Sequence, residues 1–302
     1  MFQMSTLFSN RPMAIFGLVL TSLFWAGNIY VSKVFVDVVP PFTLNYYRWI
    51  IALLILTPFA LQEFCRSWQV VRQSWVQISI FGFLGITVYN SFLYSSAYTT
   101  EGVNIAVISS LTPLLTFVCT WVFFSLKPTR MQSIGFIFGI SGVLVLVAKG
   151  KLVTLLNLEF NLGDLIMLGA SIAWALYTAL QVNKPKGLSP LIFLYATTVF
   201  GVIISTPTLV IEYQFVGGFE LNSQILLGLA YVGIFPSLCS YLLFNNGVSV
   251  LGPQVASLCL YLLPVFTAII SILFLNEPIR WFHIVSQILV FIGFYLALFQ
   301  KR

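Results

Sequence analysis

The sequence has very few charged residues. Only 7% of its 302 residues are charged, whereas an average soluble domain has about 25%. A water-soluble fold of this size could not cover its surface with so few charges, because 59% of the residues are hydrophobic and the mean hydropathy is +1.00. The scarcity of charge therefore excludes a water-soluble fold and predicts an integral membrane protein.

Residue types that bind metals or catalyse reactions are equally scarce. The chain has a single His, and its four Cys residues show no CxxC spacing, so neither a structural zinc site nor disulfides are expected. It also lacks a P-loop, an HExxH or GxSxG motif, and paired aspartates at membrane depth. These absences predict a protein that is not an enzyme and that uses no metal and no cofactor.

The positive charge is not concentrated anywhere. The formal net charge is +6, but the 14 Lys and Arg residues are scattered singly along the chain. Phosphate binding uses a basic stripe, which this sequence does not have, so nucleic acid is not an expected partner.

Long apolar runs dominate the sequence instead. A helix needs about 20 apolar residues to cross a bilayer, and the chain divides into ten such runs joined by short loops. The predicted spans are roughly 12–36, 42–62, 77–98, 103–124, 131–148, 161–182, 190–212, 223–249, 253–275 and 280–299. We therefore expect an all-α protein with ten transmembrane helices in the lipid bilayer, whose function lies among the helices.

The basic residues of the short loops predict the orientation. Nine of them lie on the side that holds the N-terminus and four on the other side, and basic loops face the cytoplasm. The nine are Arg11, Arg66, Arg72, Lys127, Arg130, Lys184, Lys186, Lys301 and Arg302. Both termini are therefore predicted to be cytoplasmic.

The two halves of the chain repeat each other. Trp25 and Pro41 recur as Trp174 and Pro190 after 149 residues, and Gly142 recurs as Gly293. Each half holds five helices, an odd number, so the second half enters the membrane from the opposite side. We predict two inverted five-helix repeats, residues 1–150 and 151–302, an arrangement typical of alternating access around a site near the midplane.

Several segments carry a resemblance to a known family. They are "FWAGNIYVSK" at Phe24, "YYRW" at Tyr47, "SSLTPLLT" around Pro113, "ASIAWALYT" at Ala170 and "YLLPVFTAIISILFLNEP" at Tyr261. Together with the five-plus-five helix plan they resemble the EamA-type branch of the drug/metabolite transporter superfamily. The resemblance implies a carrier of the bacterial inner membrane, commonly an exporter of amino acids or related metabolites, with a central cavity lined by both repeats.

Two helices place polar residues deep in the apolar spans. Trp25 and Asn28 share one face of the first helix, and a side-chain amide at that depth must find partners or face water. Arg48 lies about 9 Å into the second helix at 1.5 Å per residue, where pairing with carbonyls, an acid or an anionic substrate group is preferred to lipid. Hydrogen bonding between helices is the alternative explanation for Asn28, and snorkelling to the surface is that for Arg48.

Three further helices carry polar and aromatic stripes at helical spacing. Asn90 and Tyr94 lie four residues apart on the third helix, and Tyr241 and Asn245 repeat that spacing on the eighth. Trp174 and Tyr177 form a similar pair on the sixth helix. The predicted substrate-binding residues are therefore Trp25, Asn28, Arg48, Asn90, Tyr94, Trp174, Tyr177, Tyr241 and Asn245, and helix packing or interfacial anchoring is the alternative role for the aromatic members.

These observations lead to one hypothesis and two alternatives. The hypothesis is a secondary transporter that moves a small amphipathic metabolite, a neutral or aromatic amino acid, across the inner membrane by alternating access and in the direction of export. A multidrug or organic-cation exporter is disfavoured, because such chemistry generally needs a carboxylate in the membrane and every Asp and Glu here lies at a helix end or in a loop. A membrane scaffold that transports nothing is the alternative from another class.

A small-residue motif leaves the oligomeric state open. Gly135 and Gly139 form a GxxxG pair on the fifth helix, which is typical of close helix packing. Such packing can occur within one chain or between two copies, so a homodimer is one alternative.

Overall fold

The computed structural model describes residues 10–35, 38–100, 102–157, 161–275 and 279–298. These residues form ten helices that are long and apolar enough to span a bilayer. We label them α1 to α10: Arg11–Phe35, Pro41–Arg66, Trp75–Ser96, Asn104–Phe124, Arg130–Val147, Leu162–Asn183, Pro190–Val216, Ser223–Leu251, Pro253–Ile270 and Trp281–Leu298. The predicted spans are confirmed to within a few residues at nearly every end.

Two short helices lie between the spanning ones, and the described residues contain no strand. Trp68–Gln73 follows α2 and Leu152–Leu156 follows α5. Large apolar side chains on the outside of the bundle are exposed, among them Leu54, Phe59 and Leu227. Their exposure is explained by contact with lipid chains.

Equivalent helices of the two halves are interrupted at equivalent places. A π-helical turn occupies Gly82–Val88 in α3 and another occupies Gly233–Cys239 in α8, which is 151 residues later. Such turns widen the helix by one residue and leave backbone groups without their usual partners. Both turns contain buried residues, among them Gly85 in α3 and Pro236 in α8.

Two mid-span prolines, Pro113 in α4 and Pro264 in α9, also mark interruptions. The α4 helix breaks at Ser110 and Leu111, just ahead of Pro113, and α9 contains a 3₁₀ turn at Leu258–Tyr261 just ahead of Pro264. A proline has no N–H to donate to the preceding turn and its ring clashes with the carbonyl four residues earlier. The helix that follows the 3₁₀ turn is Leu262–Leu275, so it extends five residues beyond Ile270, the end of the span given above for α9.

Helix contacts follow the inverted repeat. The α1 helix packs against α8 and α9, and its counterpart α6 packs against α3 and α4. The α2 helix packs against its counterpart α7, and α5 against its counterpart α10. Exchanging the two halves therefore exchanges one set of contacts for the other, which is the relation that two inverted five-helix repeats require.

The GxxxG pair of α5 packs within the chain. A Cβ atom on Gly135 would lie 2.5 Å from the Gly293 carbonyl oxygen, and one on Gly139 would meet the ring of Tyr261. Two helix backbones can approach this closely only where both lack side chains. The motif is therefore used between α5 and α10 of one chain. It gives no support to a homodimer, which stays a prediction.

Candidate functional site

A cavity of about 290 Å³ lies between α1, α3, α4, α5, α6 and α9. Its lining comes from the second half of α1 at Ile29, the end of α3 at Ala97, the end of α5 at Val147 and the beginning of α6 at Met167. These positions all belong to the half of the bundle remote from the N-terminus. With the orientation predicted from the loops, this is the external half.

The described residues that line the cavity are largely apolar, and none of them is charged. Leu93, Ile105, Leu146 and Leu263 contribute aliphatic surface. The other lining residues include three of the predicted site residues, Trp25, Asn28 and Asn90. A few polar groups in an apolar cavity are typical of a small-molecule site, where they set the orientation of the ligand.

Hydroxyl groups on α4 and α9 present oxygen atoms to the cavity. The Ser109 hydroxyl donates to the Ile105 carbonyl at 2.6 Å, and the Thr267 hydroxyl donates to the Leu263 carbonyl at 3.0 Å. Because each proton is already used within its own helix, the lone pairs of these oxygens are what a ligand would meet.

Arg48 lies behind the cavity wall and has no exposed surface. Its Nε donates to the Ser237 hydroxyl at 2.6 Å, and its Nη1 donates to Asn90 Oδ1 at 3.0 Å and to the Tyr94 hydroxyl. The guanidinium also lies 5.4 Å from the ring centre of Trp49, within the range of a cation–π contact. Within the described residues it has no carboxylate partner, so its charge is stabilised by neutral groups alone.

Two chains of hydrogen bonds lead from Arg48 towards the cavity. In one, the Tyr94 hydroxyl donates to Asn28 Oδ1 at 2.9 Å. In the other, Asn90 Nδ2 donates to the Gly85 carbonyl at 2.9 Å and to the Tyr241 hydroxyl at 3.0 Å. Gly85 belongs to the π-helical turn of α3, whose irregular backbone makes that carbonyl available to side chains.

Aromatic rings form the end of the cavity nearest the middle of the bundle. Trp174 lies at the centre of this cluster, with its ring centre 5.1 Å from that of Trp25 and 4.6 Å from that of Tyr89. It also contacts Tyr177 at 5.1 Å and Tyr241 at 5.4 Å. Of these five rings only Trp25 and Tyr89 line the cavity, so the cluster separates the cavity from the opposite half of the bundle.

The half of the bundle that holds the N-terminus is closed by polar contacts. Gln254 at the beginning of α9 donates to the Thr120 hydroxyl and to the Leu126 carbonyl, both at 2.9 Å. Lys184, after the end of α6, donates to the Ser249 hydroxyl of α8 at 2.6 Å, and burial lowers the pKa of Lys184. The Gln254 contacts join the two repeats, and the Lys184 contact joins α6 to α8 within the second repeat, both at the end opposite the cavity.

Comparison with known proteins decides the family. The sequence model of the EamA-like transporter family matches residues 12–148 and again residues 161–299. The chain belongs to the EamA-like transporter family. The two matches coincide with the two five-helix halves of the fold.

Individual relatives of this EamA-like transporter agree with that assignment. The uncharacterized transporter YyaM of Bacillus subtilis is 30% identical over 74% of the chain and 73% of its own length. An uncharacterized transporter of Archaeoglobus fulgidus is 25% identical over 93% of the chain and 95% of its own length. A solved crystal structure has the same fold, with a TM-score of 0.74 at 17% identity, and the match covers 95% of this chain and 97% of the other. The protein is a multi-pass membrane transporter.

The nine predicted site residues of this EamA-like transporter fall into three groups. Trp25, Asn28 and Asn90 line the cavity. Tyr94 and Arg48 lie one layer behind it and bond to those asparagines. The remaining four, Trp174, Tyr177, Tyr241 and Asn245, have no exposed surface and do not line the cavity. Tyr177 there donates to Asn245 Oδ1 at 2.9 Å.

Some site residues escape sequence reasoning. Tyr89 lines the cavity, and Ser237 of α8 accepts a hydrogen bond of 2.6 Å from Arg48 Nε. Asn45 is almost fully buried, and its Nδ2 donates to the Ile86 carbonyl and the Ser91 hydroxyl, each at 3.0 Å. Its position three residues before Arg48 places both on one face of α2, a spacing that could have identified it. No comparable sequence signal marks Ser237, because its role depends on a contact between helices far apart in the chain.

Proposed function

We propose that this EamA-like transporter is a secondary transporter that exports a small amphipathic metabolite, an apolar or aromatic amino acid, by alternating access. It works in the inner membrane of the cell with both termini in the cytoplasm. The observation that carries the proposal is the cavity, whose described lining residues are largely apolar and uncharged and include a few polar groups backed by the buried guanidinium of Arg48.

The size and polarity of the cavity support an amino acid. Its 290 Å³ lies close to the lower limit of about 300 Å³ for small-molecule sites. Leu93, Ile105 and Leu146 provide an apolar surface for a hydrophobic side chain. The hydroxyl oxygens of Ser109 and Thr267 can accept hydrogen bonds from an ammonium group. The carboxylate then lies towards Arg48.

The acidic residues argue against an organic cation. Asp164 and Glu212 are buried, but both are used at helix ends. Asp164 accepts from the backbone N–H of Asn161 at 2.6 Å, and Glu212 accepts from the backbone N–H groups of Phe42 and Thr43 at the start of α2. Neither lines the cavity, so no described carboxylate is available there to pair with a substrate cation.

Equivalent residues that differ in their contacts support alternating access. Trp25 Nε1 donates to the Pro236 carbonyl in the π-helical turn of α8 at 3.0 Å, whereas Nε1 of its counterpart Trp174 has no partner among the described residues. The counterpart of Pro236 is Gly85, whose carbonyl accepts from Tyr241 instead. In the opposite conformation we expect the roles to be exchanged, with the cavity on the cytoplasmic side and Trp174 bonded in the α3 turn.

Flux measurements test the proposal. Purified protein in liposomes should exchange radiolabelled phenylalanine or leucine faster than protein-free liposomes do, and unlabelled tetraethylammonium should not compete. Cells loaded with the amino acid as a dipeptide should release it faster when they contain the protein, which tests export. Flux of the quaternary ammonium ion without flux of amino acids would refute the substrate class, and a lack of flux for every solute class would favour the scaffold.

A further inference from the structure

Arg48 determines the direction of the hydrogen bonds that reach Asn28. A guanidinium group can only donate, so the Tyr94 oxygen must accept from Arg48 Nη1. The Tyr94 proton is then free to go to Asn28, whose Oδ1 accepts it at 2.9 Å. This chain orients the Asn28 amide, with Oδ1 towards Tyr94 and Nδ2 directed away from it.

The Nδ2 group of Asn28 is a donor without a partner at the cavity wall. Asn28 is only 4% exposed, and it lines the cavity. Among the described residues, the only hydrogen bond of its side chain is the one that Oδ1 accepts from Tyr94. A nearly buried amide donor that no protein group satisfies is stabilised when a ligand supplies an acceptor atom.

The charge behind the wall favours a negatively charged acceptor. Arg48 has no exposed surface, and no described residue offers it a carboxylate. The described residues that line the cavity are all uncharged. Because the interior screens charge poorly, the positive potential of Arg48 extends into the cavity at the point where Asn28 lies.

We propose that Asn28, oriented by Arg48 through Tyr94, is the donor that recognises a carboxylate oxygen of the transported solute. This inference rests on the proposed function and deepens it, because it assigns the preference for a carboxylate to one residue and one hydrogen-bond chain. Asn28 determines specificity by direct contact, whereas Arg48 and Tyr94 are positioning residues.

Three probes with the same aromatic body test the assignment. Phenylalanine has both charged groups, 3-phenylpropionate has only the carboxylate, and 2-phenylethylamine has only the amine. The wild-type protein should bind the two carboxylates at least about tenfold more tightly than the amine, because a hydrogen bond to a charged group is one of the stronger kinds. Asn28→Asp replaces the donor with a negative acceptor and should reverse the order, and Asn28→Leu should reduce the preference, because the donor is lost while Arg48 remains.

A matched pair of tyrosine variants tests the relay. Tyr94→Phe leaves the Asn28 amide free to turn and should reduce the carboxylate preference at least about threefold, since one orienting bond is lost. Tyr195→Phe is the control, because Tyr195 is also buried and bonds to Thr57 at 3.3 Å, but it does not line the cavity. Thermal unfolding of each variant establishes that it is folded. An unchanged order of the three probes in folded Asn28→Asp would overturn the inference.

A second measurement needs no substrate. In a background without Cys65, Cys119, Cys239 and Cys259, Asn28→Cys should react faster with a methanethiosulfonate that carries a sulfonate than with one that carries a trimethylammonium group, relative to a free thiol. If no probe binds, the proposed substrate class fails, while this reagent ratio still tests the positive potential at position 28 that the inference requires. A cationic reagent that reacts as fast as the anionic one would overturn it.

Discussion

Gln254 offers the sharpest test of how the closed end of the bundle controls access. Its Nε2 donates to the Thr120 hydroxyl and to the Leu126 carbonyl, both at 2.9 Å, and so joins α9 to α4 at the end opposite the cavity. Gln254→Leu keeps a similar volume and removes both bonds. The Thr120 hydroxyl still donates to the Phe117 carbonyl at 3.0 Å, so the change is confined to the contact between the two helices.

The size of the effect follows from the two bonds. Each contributes about 0.5–1.5 kcal/mol net, so the closed end should lose about 1–3 kcal/mol relative to a state in which it is open. That free energy corresponds to an increase of about 5- to 150-fold in the population of the open state.

Thiol accessibility measures that population. Thr178→Cys, at a residue of α6 with no exposed surface, reports the closed half, and Ala97→Cys reports the cavity. In the Gln254→Leu background the thiol of Thr178→Cys should react about 5- to 150-fold faster, and the thiol of Ala97→Cys should react more slowly. Gln181→Leu is the matched control, because Gln181 is also buried near that end but its amide has no partner in the described structure. Equal reactivity of Thr178→Cys in both backgrounds would refute the proposed role of Gln254.

Two further predictions concern topology and packing. A reporter that is active only in the cytoplasm, fused after Arg302, should be active, because loops rich in basic residues stay on the cytoplasmic side. Activity of a reporter that works only outside the cell would contradict the orientation. Gly293→Ala should destabilise the protein by about 1–3 kcal/mol and lower its Tm, because the added Cβ would lie 2.5 Å from the Gly135 carbonyl and 2.7 Å from the Gly139 nitrogen. The backbone atoms of α5 cannot move aside as a side chain can. Gly169→Ala is the control, because its Cβ would meet the Phe92 ring at 3.1 Å, and it should lower the stability less. Equal Tm values for the two variants would show that α5 and α10 can separate freely.

The candidate site was predictable to the extent that single helices display it. Asn28 and Asn90 are deep amides in apolar spans, and such groups must face water or a partner whatever the fold, so their place at the cavity could be anticipated. Trp174, Tyr177 and Tyr241 belong to stripes that look the same in the sequence but are enclosed in this conformation. In an inverted repeat both halves carry the same pattern, and the conformation decides which half is open.

The sequence by itself determined the class of the fold. The length of each apolar run is set by the thickness of the bilayer, and the odd number of helices per repeat makes the repeats inverted. Only the tertiary structure decided how the polar residues are used. The partners of Arg48 lie on α3 and α8, 42 to 189 residues away, and the direction of its hydrogen bonds orients Asn28. Such contacts depend on how helices distant in the chain pack together, because periodicity within one helix reveals which face a residue occupies but not what lies opposite it.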